Sequence, residues 1–499
     1  MLSTRRALLV LAAGLSATMV MGAGPKKTIA PTKLKAASAA QIRANLGLTG
    51  SSGWILVDMA TGKVIDQGNA DRPFVPASVA KLPTAAFALD ALGPHYRFET
   101  RVRANGAISG GRVKGDLVLE GGGDPELDTK ALAAIAAALK ERGIKRVDGR
   151  FLADGSALPQ VPQIESSQAV DAPYNPAVSG LNLNFNRVHV KWDARKGRKK
   201  LSVEAEGDRM TAPVDRIRVA LASGKGLPTF SLTLKGGREY WSMHRRAYRG
   251  RAARWLPVKG ATAYTAEVFR TVCARAGLKL PQPQIGPAAK SSRVLAIYQS
   301  RPLGEILRAM LKYSTNVTAE VSGAAATRAT GLAADSLGAS ADVMNAWAAG
   351  VAGFEIGDPG FKFVNHSGLS LRSRVSPRRM AQLLVALARR SGDPGVKHPR
   401  VPGSIAGYLK PHNVAAKKVP LDYENLTVVA KTGTMSYVRG LAGYIVTPRG
   451  RKLAFAIFSN DLKTRGNGAQ RVNRRWSRRA KSFERALIRS WVIRVDGQG

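Results

Sequence analysis

Three short clusters in this chain hold residue types that can do acyl-transfer chemistry. The first is Ser78-Val79-Ala80-Lys81, at the start of the run PASVAKLPTAAFALDALG from Pro76 to Gly93. Pro and Ser at its opening and Gly at its end are helix start and stop signals, and Pro83 falls early enough to be tolerated near the first turns, with a kink as the alternative. Residues three apart share a helix face, so the Lys81 amine reaches the Ser78 hydroxyl. A serine hydroxyl is a poor nucleophile until a base takes its proton, and a lysine desolvated by burial or by neighbouring cations can be that base. The helix start adds backbone N–H groups and positive dipole beside the nucleophile. Alone the pattern is weak, since on the order of one or two Ser-x-x-Lys matches arise by chance in a chain of this length.

The second cluster, Ser314-Thr315-Asn316, lies between two helical stretches in LKYSTNVTAE. A second hydroxyl near the lysine can relay a proton to a leaving amine, and an Asn amide can grip a peptide group. The plain alternative is that such a cluster only caps helices. The third is Lys431-Thr432-Gly433-Thr434, at the end of the β-rich run LTVVA. An edge strand there can pair with an extended substrate, with Lys431 and the hydroxyls facing a carboxylate and Gly433 permitting close approach. Its plain alternative is a glycine-containing strand end.

Together the three make a complete acyl-transfer site. Their identity and order resemble the penicillin-recognising serine enzymes, the β-lactamases and penicillin-binding proteins. The phrases GDLVLEGGGDPEL, SRPLGEILRAMLKYSTNVTAE, HSGLSLRSRVSP and KTGTMSYVRGLAGYIVT narrow this. They resemble the D-alanyl-D-alanine carboxypeptidase/endopeptidase family of low-molecular-mass penicillin-binding proteins, whose transpeptidase-like domain carries inserted domains. The resemblance runs from about residue 40 to 485. It implies that Ser78 is acylated by the penultimate D-alanine carbonyl, that Lys81 is its base, and that Ser314 passes the proton to the departing D-alanine. It further implies that Asn316 binds the substrate amide and that Lys431, Thr432 and Thr434 hold the terminal carboxylate. The backbone N–H groups of Ser78 and Thr434 would form the oxyanion hole, worth about 3–4 kcal/mol per donor in comparable sites. It implies no cofactor. One departure is visible: the family's Asp-Gly before Ser-Gly-Leu is Asn365-His366 before Ser367-Gly368-Leu369 here.

The elements that must position these residues are legible in outline. WILVDMATGKVIDQ reads as two strands around a turn at Ala60-Thr61-Gly62. From about 100 to 290 short alternating runs punctuated by Gly and Asp surround a helix over Lys130–Arg142, and TAEVFRTVCARAGL is helix-like. GGGDP (Gly121–Pro125) lacks a following Gly-Lys-Ser/Thr and reads as a turn. Helical periodicity returns over Leu303–Lys312, Ala319–Thr330, Ser336–Ala349 and Pro377–Arg390. Strands are expected over Leu426–Ala430, Leu441–Thr447 and Lys452–Phe458. A basic helix follows from Gln470 to Val495, whose Trp476, Phe483, Leu487 and Trp491 read as a core stripe, with a membrane-surface role for its cationic face as the alternative. The expected fold is α/β (α+β), a serine β-lactamase/transpeptidase-like domain with an antiparallel sheet flanked by helices. Residues 39–102 and 293–499 would form it, interrupted by a β-rich insertion over 103–292 of two modules.

Composition sets the setting. Hydrophobic residues make up 44% of the 499 positions, which rules out a disordered chain. Arg5 and Arg6 precede an apolar run of about 15 residues ending in Gly22-Ala23-Gly24, a cleavable export signal over 1–23 with a flexible lead-in over 24–38. Secretory and twin-arginine routes both fit, and a retained anchor is the alternative. The expected location is the periplasm or cell-wall space. With one cysteine, Cys273, there is no internal disulfide framework, and the six scattered histidines give no metal site. The 77 Lys and Arg against 34 Asp and Glu leave a net charge of +43. In an exported protein that charge points to the membrane surface, lipopolysaccharide or wall carboxylates rather than to nucleic acid, and the run 194–200 reads as a solvated hairpin tip. The expected partners are peptidoglycan stem peptides, with β-lactams as acylating inhibitors. The rival readings are a β-lactamase, against which the insertion argues, and a non-catalytic wall-binding protein of the same fold.

Overall fold

The computed structural model describes residues 36–497 apart from 196–199, 290, 391–404, 417–418, 420 and 467–472. The signal-like segment 1–23, most of the lead-in and the middle of the basic run 194–200 lie outside the described residues.

The two ends of the chain build one antiparallel sheet of six strands. Its order is Val64–Gly68, Ser51–Asp58, Lys452–Asn460, Val438–Val446, Thr427–Met435 and Lys410–Pro411. The N-terminal strand pairs with a C-terminal one in the register Trp54↔Ile457. Both faces are covered. Ile55, Val57 and Phe458 pack under the helices Lys81–Leu92, Leu303–Tyr313, Asn316–Ala329, Leu337–Ala352 and Pro377–Arg390. Leu56, Phe455 and Ile457, on the opposite face by the two-residue alternation of a strand, meet the helices Ala39–Leu46 and Arg474–Asp496. The stripe Trp476, Phe483, Leu487 and Trp491 is buried there, with Phe483 edge-on to Trp54 and Trp491 edge-on to Phe455. This is the expected α/β architecture.

Residues 99–299 form further sheets around one apolar cluster of their own. The entering strand Glu99–Ala104 pairs antiparallel with the leaving strand Arg293–Gln299, so the chain departs and returns at one place. The leaving strand edges a five-stranded sheet that continues through the entering strand, Leu117–Gly121 and Phe151–Asp154 to Pro283–Ile285 at the other edge. A four-stranded sheet includes Arg187–Asp193 and Arg251–Pro257, and the helices Thr129–Glu141 and Ala261–Arg275 contribute to the cluster. Cys273 is buried in it, and burial raises its thiol pKa.

Several element boundaries differ from expectation. The strand read as ending at Ala430 runs on to Met435, and its partner starts at Val438. Lys431, Thr432 and Gly433 interrupt the apolar pattern, but their backbone stays in the ladder opposite Ala442, Leu441 and Gly440. The helix read from Ala319 starts at Asn316, directly after an extended Thr315. Ser78 sits in a 3-10 turn, Ala77–Ala80, which leads into the α-helix that begins at Lys81, so Pro83 stands in that helix's first turn.

Candidate active site

The turn that holds Ser78 is backbone-strained. Ala77 has φ of 47°, a left-handed conformation that costs a non-glycine residue on the order of 1 kcal/mol or more. Gly368 makes it possible for the loop 365–368 to close on this turn: its φ is 72°, and a Cβ there would fall 2.0 Å from the Ala77 carbonyl oxygen. The strand Thr427–Met435 closes from the other side. A Cβ on Gly433 would fall 2.3 Å from the Pro76 carbonyl oxygen and 3.1 Å from the backbone nitrogen of Ser78. The neighbouring strand Lys410–Pro411 pairs only with Ala430 and Val429. Among the described residues no strand pairs with Lys431–Met435 on that side.

Lys81 is wholly buried. Its Nζ donates to Ser78 Oγ at 3.0 Å, to Asn316 Oδ1 at 2.7 Å and to the Ser367 carbonyl at 2.8 Å. Burial drives its pKa well below the ordinary lysine value, the charge of Lys431 lowers it further, and Glu320 opposes both. A neutral amine keeps two of those donors and turns its lone pair to the Ser78 proton.

The second cluster does not cap helices with its side chains. Ser314 ends the helix Leu303–Tyr313 in a left-handed conformation, with φ of 63°, which leaves its hydroxyl for Lys431, whose Nζ donates to Ser314 Oγ at 3.0 Å and to the Thr432 carbonyl at 2.8 Å. Lys431 is nearly fully buried, and burial, with Lys410 and Arg439 nearby, lowers its pKa to about 7. Asn316 accepts from Lys81, and its Nδ2 donates to the Tyr174 carbonyl at 2.9 Å. One N–H remains for the cleft. Thr434 Oγ1 accepts from Arg439 Nη1 at 3.0 Å. Ser78, Lys81, Ser314, Asn316, Lys431 and the strand segment Thr432–Thr434 are thus brought together.

Several residues here escaped sequence reasoning. Glu320, wholly buried, accepts the backbone N–H groups of His366 at 3.0 Å and Ser367 at 2.9 Å. It clamps the loop whose Ser367 carbonyl holds Lys81, and burial raises its pKa. Its place four residues after Asn316, on the same helix face, is the signal that would have found it. Arg439 forms a buried ion pair with Glu484 at 3.0 Å. Tyr174 comes from the segment 99–299, where nothing in the sequence marks it. In the departing loop, Asn365 Oδ1 accepts from the Gly368 N–H at 3.0 Å, an acceptor role open to either Asn or Asp. The buried His366 ring lies against Gly323, where a Cβ would fall 2.2 Å from Nδ1, and its Nε2 meets Ser340 Oγ at 2.8 Å.

Ser78, Ser314, Asn316 and Thr434 open on a cleft of about 1190 Å³ whose far wall is Gln168–Tyr174 and Pro228–Phe230. That is larger than an ordinary small-molecule pocket of about 300–1,000 Å³.

Lysine-assisted serine hydrolases are the class that this fold and this juxtaposition define. The branch follows from a match along most of the chain: it belongs to the D-Ala-D-Ala carboxypeptidase 3 (S13) family, whose model matches residues 36–477. It is 26% identical over 453 residues to D-alanyl-D-alanine carboxypeptidase DacB of Haemophilus influenzae, covering 83% of this chain and 86% of that protein. It is 28% identical over 465 residues to a D-alanyl-D-alanine carboxypeptidase of Actinomadura sp., covering 82% and 77%. The crystal structure of penicillin binding protein 4 (dacB) from Haemophilus influenzae shares the fold, with a TM-score of 0.72 at 22% identity over 91% of this chain and 99% of that one. The same protein complexed with a β-lactam gives 0.69.

Proposed function

We propose that this protein is a serine-type D-Ala-D-Ala carboxypeptidase acting on peptidoglycan stem peptides through an acyl-enzyme on Ser78. The neutral Lys81 amine takes the Ser78 proton as Oγ attacks the penultimate D-alanine carbonyl. The developing oxyanion is met by the N–H groups of Ser78 and Thr434. Ser314 relays a proton, accepting the one Lys81 has taken up as it gives its own to the departing D-alanine amine, and water then hydrolyses the ester, restoring the Ser78 hydroxyl. Lys431, Thr432 and Thr434 hold the terminal carboxylate, and the remaining Asn316 N–H binds the substrate amide. The observation that carries this is the wholly buried Lys81 Nζ, 3.0 Å from Ser78 Oγ.

In this reading residues 39–102 and 293–499 are the catalytic domain and 103–292 the insertion. Export by residues 1–23 delivers them to the periplasm or wall space, and β-lactams acylate Ser78 as substrate mimics. The size of the cleft favours a second activity, DD-endopeptidase cleavage of D-alanyl cross-links, whose substrates are bulkier.

Labelled penicillin followed by peptide mass mapping tests it. An adduct on Ser78 is expected, with D-alanine release from a pentapeptide. No adduct on protein shown to be folded would overturn the enzymatic reading.

A further inference from the structure

The helix Arg474–Asp496 carries two opposed stripes. Trp476, Phe483, Leu487 and Trp491 face the sheet and are buried. Arg474, Arg478, Lys481, Arg485 and Arg489 recur at steps of four, three, four and four residues, which places them within a roughly 80° sector on the other side. At about 1.5 Å per residue this stripe is ~22 Å long. Arg474, Arg478 and Lys481 are exposed, and Arg485 and Arg489 half-buried.

The stripe is strongly cationic, five positive side chains with Glu484 as the nearby opposing charge. Among the described residues, no carboxylate lies within ion-pair distance of these five side chains, and the neighbouring Glu484 is committed to Arg439. Arg485 Nε is buried with no partner. Like charges crowd the stripe: Arg485 first, then burial, then Arg439 hold the Lys481 ammonium below its ordinary pKa, against the opposing charge of Glu484. The stripe also starts at the active site, because Arg474, with Arg465, lines the same cleft as Ser78 and Ser314.

We propose that this stripe is a docking track for the peptidoglycan strand, gripping carboxylates of stem peptides adjacent to the one whose end enters the cleft. This rests on the function proposed above and specifies the form of its substrate, polymeric wall rather than free peptide. A line of cations running out from the cleft matches a polymer that repeats its carboxylates beyond the bond being cut. A bilayer fits worse. An interfacial helix must insert an apolar face, and the apolar face of this helix is consumed by the sheet.

The test uses the full protein and Arg478→Gln/Lys481→Gln, both positions being exposed and outside the catalytic machinery. Co-sedimentation with purified sacculi is expected to fall at least about tenfold in the variant at low ionic strength, and wild-type retention to fall with salt and with amidation of the sacculus carboxyls. D-alanine release from a soluble pentapeptide should stay at the wild-type rate, which also reports correct folding. Equal retention of the two proteins would overturn the proposal. So would wild-type retention that ignores amidation, or equal wild-type binding to phosphatidylglycerol vesicles. If wild type fails on the soluble pentapeptide, the proposed activity falls, while the retention measurements still judge the track.

Discussion

Gly433 faces the carbonyl oxygen of Pro76 so closely that a Cβ on it would lie 2.3 Å away. Edge strand and nucleophile turn are in backbone contact, and no side chain fits between them. Gly433→Ala should therefore push the strand off the turn and pull the Thr434 N–H from the oxyanion position. The expected loss is about 10²–10³-fold in kcat/KM, comparable to removing one oxyanion donor. Circular dichroism should stay near wild type, with a melting temperature lowered by several degrees for about 1–3 kcal/mol of overpacking. Wild-type turnover in the alanine variant would show that the strand does not carry the oxyanion hole.

The two active-site lysines should give opposite pH limbs. As the proposed base, Lys81 must be neutral, so kcat/KM should rise as pH passes its depressed pKa. Lys431 must be charged to hold a carboxylate, and its pKa is about 7 in the free protein, so kcat/KM falls above that. A bound carboxylate stabilises the ammonium, so the alkaline limb of kcat should lie higher than that of kcat/KM. Lys431→Arg, which keeps its charge, should flatten the alkaline limb. A limb unchanged in that variant would assign it elsewhere.

His366 should make the protein acid-labile. Burial lowers its pKa from 6.5 to about 3, so the folded state holds it neutral while the unfolded chain takes up a proton below 6.5. Its stabilising effect is present above pH ~6.5 and is lost as pH falls towards ~3, on the order of 5 kcal/mol in all. His366→Phe fills the space beside Gly323 without titrating. It should cost ~1–2 kcal/mol at neutral pH, because Ser340 loses a partner, yet flatten the slope of urea-unfolding free energy between pH 6 and 4. An undiminished slope would exclude His366 as its source.

Arg439 links Thr434 to the C-terminal helix through the buried Glu484. Glu484→Gln leaves a buried guanidinium without its counter-charge and should cost about 3 kcal/mol in urea unfolding. Arg439→Met combined with Glu484→Leu should recover most of that stability, because two apolar groups need no pairing. KM should remain raised in the double variant, since the Thr434 hydroxyl is then unfixed. A normal KM there would remove Arg439 from substrate binding.

Much of the site was legible in the sequence because its pieces are local. Ser78 and Lys81 sit three residues apart on one turn, and the apolar stripe of the C-terminal helix follows helical spacing that any window reveals. The strand through Lys431 reads from sequence as ending at Ala430 because consecutive residues are buried there without alternation and its polar segment breaks the apolar run, while the ladder to Val438–Val446 continues regardless. The Ser314 cluster was readable as helix caps until the fold brought Lys431 to its hydroxyl.

The sequence by itself determined the three polar clusters from which the proposed site is built, their order, and the α/β class. Residue identity is chemical, and secondary-structure period is a property of neighbours. Only the tertiary structure decided their working state. Lys81, the proposed base, has its pKa lowered because burial removes the water that would keep it charged. Glu320 holds the loop beneath it, and Tyr174, from a region far along the chain, takes one Asn316 N–H. Desolvation and long-range partners are made by packing, and no local pattern encodes them.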